Sequence, residues 1–257
     1  MHAPDYLEVR PGRRLAFRDR RGDGPTLIFL PGYMSDMDGG KATALDAWAQ
    51  AEGRAMLRFD YSGCGLSEGA FDEQTLSGWR DDTLAMIDST EGPVLLVGSS
   101  MGGWLMLLAA LARPERVAGL VGIAAAPDFT EWGFDEAQKR TLREHGRLEE
   151  PSPYGEAPYV TTRVFWESGE SLKLLGGRID IRCHVRLLHG LDDEDVPWRV
   201  SLRLAERLAS ADVRTTVVKG GDHRLSRPSD IALLIETVEG LLPDLARRPS
   251  AGWGPSG

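Results

Sequence analysis

The sequence predicts an α/β protein: a mostly parallel sheet of about eight strands, helices on both faces, and a helical cap inserted between two strands. Three observations carry this. Short apolar runs alternate with helical patterns, as in a parallel sheet covered on both sides. The chain opens on a hairpin pattern around Pro11-Gly12, which adds antiparallel strands at one edge. The alternation then stops between Pro127 and Arg182, where amphipathic pieces and prolines replace it.

Taken in order, residues 6–9 and 15–18 flank Pro11-Gly12 as the edge hairpin. Strands are predicted at residues 26–30, 54–59, 94–98, 117–124, 184–188 and 213–218, where short apolar runs end at turn residues. Helices are predicted at 41–51, 76–89, 101–112, 197–209 and 228–242. The last shows its period in Ile231, Leu234, Ile235, Val238 and Leu242, which share one face. The apolar run 104–112 is too short to span a bilayer and reads as a buried helix. Residues 1–127 and 183–242 are expected to form the core. Residues 128–182 are expected to form the cap, with amphipathic pieces at 134–144 and 161–175 around Pro151, Pro153 and Pro158. Residues 243–257, rich in Pro, Gly, Ser and Arg, are expected to be a loose tail.

The composition narrows the function. Among 257 residues, 42% are hydrophobic and 27% charged, which excludes a largely disordered chain. The net charge of −9 disfavours nucleic acid and anionic membranes, because phosphates attract basic surfaces. No stable membrane insertion is expected. Two cysteines cannot build a disulfide framework, so a reducing compartment is the simpler reading. The start, residues 1–6, lacks a basic flank followed by an apolar core and does not look like a secretory signal. A cytoplasmic location is therefore expected. No cluster has convincing metal spacing, and no metal or cofactor is expected. The oligomeric state is not readable.

The sharpest chemical signal is Gly98-Ser99-Ser100-Met101-Gly102, a G-x-S-x-G pattern centred on Ser100. Ser99 cannot be the centre, because its frame would need glycines at Val97 and Met101. The pattern sits between a predicted strand and a predicted helix. That strand-turn-helix context distinguishes a nucleophile elbow from a tight loop with an incidental serine. Such a serine needs a base and an orienting acid that follow it in the chain. Of five histidines, His223 is placed best, in a glycine-rich loop between the last strand and the last helix. The acid belongs after the strand at 184–188, where Asp192, Asp193, Glu194 and Asp195 stand in a row. The backbone N–H of Met101, next after the serine, would supply one oxyanion donor. The loop Pro31-Gly32-Tyr33-Met34 would supply the second, at Tyr33. The glycine-rich turn 60–67 lacks the Lys-Ser/Thr ending of a phosphate-binding loop and reads as structural, with Cys64 a packing residue. Trp132, Phe134, Phe165 and Trp166 in the cap, with Met34 and Trp104 near the elbow, are candidates for holding an apolar acyl group.

These residues together resemble the α/β-hydrolase superfamily, over roughly residues 6–242. The resemblance rests on Leu30-Pro31-Gly32, the 60–67 turn, the Ser100 elbow, His189-Gly190 with Asp193 and Val196-Pro197, and Gly221-Asp222-His223. In such enzymes two residues commonly separate the acid from a Val-Pro pair, and the resemblance implies Asp193. Within the superfamily the chain is most similar to the abhydrolase palmitoyl-protein thioesterases and mycophenolic acid acyl-glucuronide esterases, with their bacterial relatives. The residues behind that are 29–37, Gly39-Gly40-Lys41-Ala42, 59–63 and 98–104. The resemblance implies a serine hydrolase of carboxylic esters or acyl thioesters, working without a cofactor on an acylated substrate. Two other readings use the same fold: a carbon–carbon bond hydrolase of ring-cleavage products, and a non-catalytic ligand receptor. A complete Ser-Asp-His set disfavours the receptor.

Overall fold

The computed structural model describes residues 3–151 and 158–246. Eight strands form one sheet: β1 (Asp5–Arg10), β2 (Arg13–Arg20), β3 (Asp23–Leu30), β4 (Arg54–Phe59), β5 (Val94–Ser99), β6 (Val117–Ile123), β9 (His184–Gly190) and β10 (Val213–Val218). Between β6 and β9 lies a two-stranded ribbon of β7 (Arg147–Glu150) and β8 (Tyr159–Thr162). The order across the large sheet is β1-β2-β4-β3-β5-β6-β9-β10. β1 and β2 are antiparallel to each other, and β2 to β4, as the hairpin pattern predicts. From β4 to β10 every pairing is parallel.

The central strands are apolar along their whole length because both faces are covered. All residues of β5 and β6 are buried. On one face, α2 (Leu76–Asp88), α3 (Met101–Ala112) and α7 (Arg199–Arg207) close a core around Trp79, Trp104, Phe59 and Leu96. On the other, α1 (Gly40–Ala51) and α8 (Pro228–Ala246) pack Leu45, Leu234, Val238 and Leu241 against Leu27, Leu95 and Val121. Helix α3 is buried nearly all round, from Met101 to Ala110, which explains why its sequence shows almost no polar face. Among the described residues no helix is long and apolar enough to cross a membrane.

The segment between β6 and β9 carries α4 (Phe129–Trp132), α5 (Glu136–His145) and α6 (Arg163–Ser171) as well as the β7–β8 ribbon. The ribbon departs from the purely helical expectation. Its strands have four residues each, and Arg147-Leu148-Glu149-Glu150 offers no sustained apolar alternation to read. Asp128 ties the beginning of the segment to its end: its buried carboxylate accepts the N–H groups of Leu174 and Leu175 at 2.8 and 2.7 Å. A second correction concerns the C-terminal end. Helix α8 continues through Pro243 to Ala246 rather than giving way to a tail at 243. Pro243 removes one N–H, but Leu241, Leu242 and Leu245 are buried and hold the last turns on the sheet. Residues 247–257 lie outside the described residues.

Candidate active site

Ser100 stands at the junction of β5 and α3 with φ 54° and ψ −118°, a backbone conformation costly for a residue with a side chain. Three hydrogen bonds hold it there. Its N–H donates to Ile123 O at 2.9 Å, and its carbonyl accepts from Gly103 at 2.9 Å and Ala126 at 3.0 Å. The turn also needs Gly102, since a Cβ there would lie 2.0 Å from the Leu30 carbonyl oxygen. The strained turn lifts the hydroxyl out at the carboxyl end of the sheet, as the G-x-S-x-G pattern requires.

Two loops bring His223 and Asp193 to that hydroxyl. His223 follows β10 and Asp193 follows β9. These loops touch at Gly190 and Gly221, where a Cβ on Gly190 would lie 2.2 Å from the Gly221 oxygen. Asp192 N–H donates to that same oxygen at 2.9 Å, which fixes the distance between the loops. His223 Nε2 is 3.1 Å from Ser100 Oγ, and Nδ1 is 2.9 Å from Asp193 Oδ2. A carboxylate only accepts, so Nδ1 carries the proton and Nε2 is left to accept from the serine hydroxyl. The Asp193 side chain is fully buried. Burial raises its carboxyl, but hydrogen bonds from His189, His223 and the Val196 N–H, with the electrostatic attraction of the His223 ring, outweigh that and hold it well below the usual carboxylate range. Of the four candidate acids, the structure thus brings Asp193 to His223. Asp195 instead donates its N–H to Asp193 Oδ1 at 3.0 Å.

His189, set aside in the sequence reading, is part of this assembly. It is fully buried. Its Nε2 lies 2.9 Å from Val196 O and 3.1 Å from Asp193 Oδ2, both acceptors, while Nδ1 is 2.7 Å from Ser201 Oγ. The imidazole therefore donates to the same carboxylate oxygen that orients His223. The signal was present in His189-Gly190, four residues before the acid, but it resembled an ordinary strand end.

The backbone N–H groups of Met101 and Tyr33 have no protein acceptor among the described residues, and both residues border the space in front of Ser100. The Tyr33 side chain is committed elsewhere. Its hydroxyl donates to Val160 O at 2.5 Å, and its ring packs on Phe71, Trp79 and Phe165. Burial pushes this phenol well above its ordinary value and keeps it neutral. Cys64 is pushed up to about 12 by burial, which leaves it an unreactive packing residue.

Two cavities open at Ser100 and His223, and Tyr33 and Tyr159 border both. One, of about 280 Å³, is walled by Phe129, Trp132, Phe134, Met101, Ala126 and Val196, with the carboxylates Glu150 and Asp195 also on its lining. The other, of about 270 Å³, is walled by Met34, Ser35, Asp36, Lys41, Arg224 and Ser226. Of the six residues proposed to hold an acyl group, Trp132 and Phe134 line the first cavity and Met34 the second. Trp104, Phe165 and Trp166 line neither and are corrected to packing residues. Trp104 is fully buried, with its indole N–H 3.3 Å from Leu172 O and its ring edge-on to Phe129. Phe165 is buried among Tyr33, Trp79 and Phe129. Trp166 donates to Thr130 O at 3.0 Å. Rings of this size bury a large apolar area, and here that area joins the core to its covering segment. Phe129 and Tyr159 were missed, because neither lies in a periodic stretch that would mark an inward face.

A strained serine at the head of a buried helix, with a histidine and a carboxylate from the next two strand ends, defines a class of fold and site. The chain belongs to the alpha/beta hydrolase family, whose model matches residues 27–232. It is 42% identical over 237 residues to the human protein named palmitoyl-protein thioesterase ABHD10, mitochondrial, an alignment covering 90% of this chain and 78% of that one. The structure of alpha/beta hydrolase domain-containing protein 10 from mouse matches with a TM-score of 0.89 at 42% identity, over 95% of this chain and all of that one. A putative hydrolase from Agrobacterium vitis S4 matches with a TM-score of 0.88 at 39% identity, over 93% and 98% of the two chains. These relatives overturn one expectation. The curated human relative is named as mitochondrial, as is its mouse counterpart, and this conflicts with a cytoplasmic location. The expectation rested on two cysteines and on a start unlike a secretory signal, which suit any reducing compartment and do not single out the cytosol.

Proposed function

We propose that Ser100, His223 and Asp193 are the nucleophile, base and orienting acid of this acyl-ester and acyl-thioester hydrolase. The single observation that carries the assignment is His223, hydrogen-bonded to Ser100 Oγ at 3.1 Å and to Asp193 at 2.9 Å. Ser100 Oγ attacks the acyl carbonyl carbon while its proton passes to His223 Nε2. Asp193 stabilises the imidazolium and keeps its tautomer. The N–H groups of Tyr33 and Met101 hold the oxyanion. The imidazolium then gives its proton to the departing thiolate or alkoxide. A water, deprotonated by the same histidine, releases the acid and restores Ser100.

The aromatic cavity is the acyl side. Phe129, Trp132 and Phe134 offer apolar area without demanding a fixed polar partner. The name carried by the human relative supports an acyl thioester with a long apolar chain. The segment 128–182 acts as the cap that carries these rings. Turnover of p-nitrophenyl esters and acyl thioesters from two to sixteen carbons tests this. Each buried methylene contributes up to about 0.8 kcal/mol, so two or three added carbons are expected to raise kcat/KM by roughly ten-fold or more. A flat profile, or activity confined to a ring-cleavage dienoate, would favour carbon–carbon hydrolysis instead.

A further inference from the structure

The acyl group uses one of the two cavities at Ser100, which leaves the other for the leaving group. This deduction rests on the acyl-hydrolase reading. The second cavity is not lined as an apolar product would want. Lys41, at the start of α1, and Arg224, next to His223, both stand on its wall, with Ser35 and Ser226 beside them. Asp36 is the one carboxylate among its described lining residues, and its Oδ1 already accepts the Asp38 N–H at 2.9 Å. The wall thus carries two basic side chains against one carboxylate.

Lys41 is held in place. Its Nζ donates to Arg224 O at 2.5 Å, which ties α1 to the loop that carries His223. An ammonium has three donors, and this bond uses one of them. Among the described residues Lys41 has no ion pair. Burial and the nearby Arg224 charge lower its pKa to about 8, against a smaller opposing pull from Asp222 and Asp230. A cation confined in this way gains from an anion brought into the cavity.

We propose that this cavity binds an anionic group, carboxylate or phosphate, carried by the thiol or alcohol that leaves Ser100. Lys41 is its main partner and Arg224 the second. Such a site would favour charged leaving groups over neutral ones of the same length. It would also retain the anionic product until the acyl-enzyme is hydrolysed.

The test uses octyl thioethers, which carry no cleavable acyl bond, made from mercaptopropionate, mercaptoethyl phosphate and mercaptoethanol. Their binding to the Ser100→Ala variant is measured by calorimetry, then repeated with Lys41→Met or Arg224→Gln added. At least one anionic thioether is expected to bind ten-fold or more tightly than the neutral one. Lys41→Met is expected to bring that ratio close to one, and Arg224→Gln to lower it in part. The carboxylate and phosphate arms identify which anion the cavity prefers. Equal affinity for anionic and neutral thioethers, or a ratio that Lys41→Met leaves unchanged, would overturn the proposal. Binding needs no turnover, so failure of the hydrolase reading shows separately, as no cleavage of an octanoyl thioester by the unsubstituted enzyme.

Discussion

Replacing Asp193 by asparagine tests the wiring of the site more sharply than deleting the side chain. Asp193 Oδ1 accepts two backbone N–H groups, from Asp195 at 3.0 Å and Val196 at 2.8 Å. Oδ2 accepts from His223 at 2.9 Å and His189 at 3.1 Å. All four neighbours are donors, and an amide has only one oxygen to offer them. If that oxygen faces the backbone, the amide NH₂ faces His223 Nδ1 and forces a lone pair there. Nε2 then carries the proton and cannot take one from Ser100. If the oxygen faces the histidines, the NH₂ meets two backbone N–H groups and leaves buried donors unpaired, at about 1–3 kcal/mol each. The first arrangement should prevail, with the wrong tautomer locked in. Loss of the correct tautomer costs about 10⁴-fold in kcat in the worked serine-protease template, or about 5 kcal/mol of transition-state stabilisation. Asp193→Asn is expected to keep a folded, cooperative melt and to lose kcat by about that factor. Steady-state hydrolysis of p-nitrophenyl octanoate measures it. A variant within ten-fold of the unsubstituted enzyme, or a larger loss in Asp192→Asn or Asp195→Asn, would refute the reasoning.

Gly190→Ala places a Cβ against the Gly221 backbone and must push apart the loops carrying Asp193 and His223. A misplacement of about 1 Å costs on the order of 100-fold, so kcat should fall at least that far while the oxyanion donors stay in place. Trp104→Ala should lower stability by about 3–5 kcal/mol, read from denaturant midpoints, because the ring is fully buried under the cap segment. Its ratio of long-chain to short-chain kcat/KM should hold. The reverse is expected of Phe134→Ala, where the chain-length preference weakens with a smaller stability change, since this ring lines the aromatic cavity.

The fold was legible in the sequence wherever burial is two-sided or periodic. β3 to β6 appear as short apolar runs because helices cover both faces, and α8 shows its inward stripe. The hairpin at Pro11-Gly12 was marked by turn chemistry. Sites were legible where a backbone constraint leaves a residue signature, as the glycines around Ser100 do. Distance in space was not legible. Nothing local separates Asp193 from Asp192 or Asp195; contact with His223 does so, and it depends on how two loops meet at Gly190 and Gly221. His189 was passed over for the same reason. The aromatic residues divide on burial that composition cannot report: Trp104, Phe165 and Trp166 cement the cap segment, while Trp132 and Phe134 face the cavity. The ribbon β7–β8 escaped because its residues are mostly polar, and the last turns of α8 because Pro243 reads as a stop. Lys41 and Arg224 lie 183 positions apart, and only the sheet topology puts them on one wall.

The central claim is that acyl transfer passes through Ser100. It is tested most directly by acid-quenching the enzyme within a turnover of p-nitrophenyl octanoate and mapping the peptides by mass spectrometry. The expected result is an octanoyl mass on the peptide containing Ser100, localised to that residue, and absent in Ser100→Ala and in enzyme pretreated with a fluorophosphonate. An octanoyl group on Ser99 or Cys64, or full turnover by Ser100→Ala with no acylated peptide, would contradict the account.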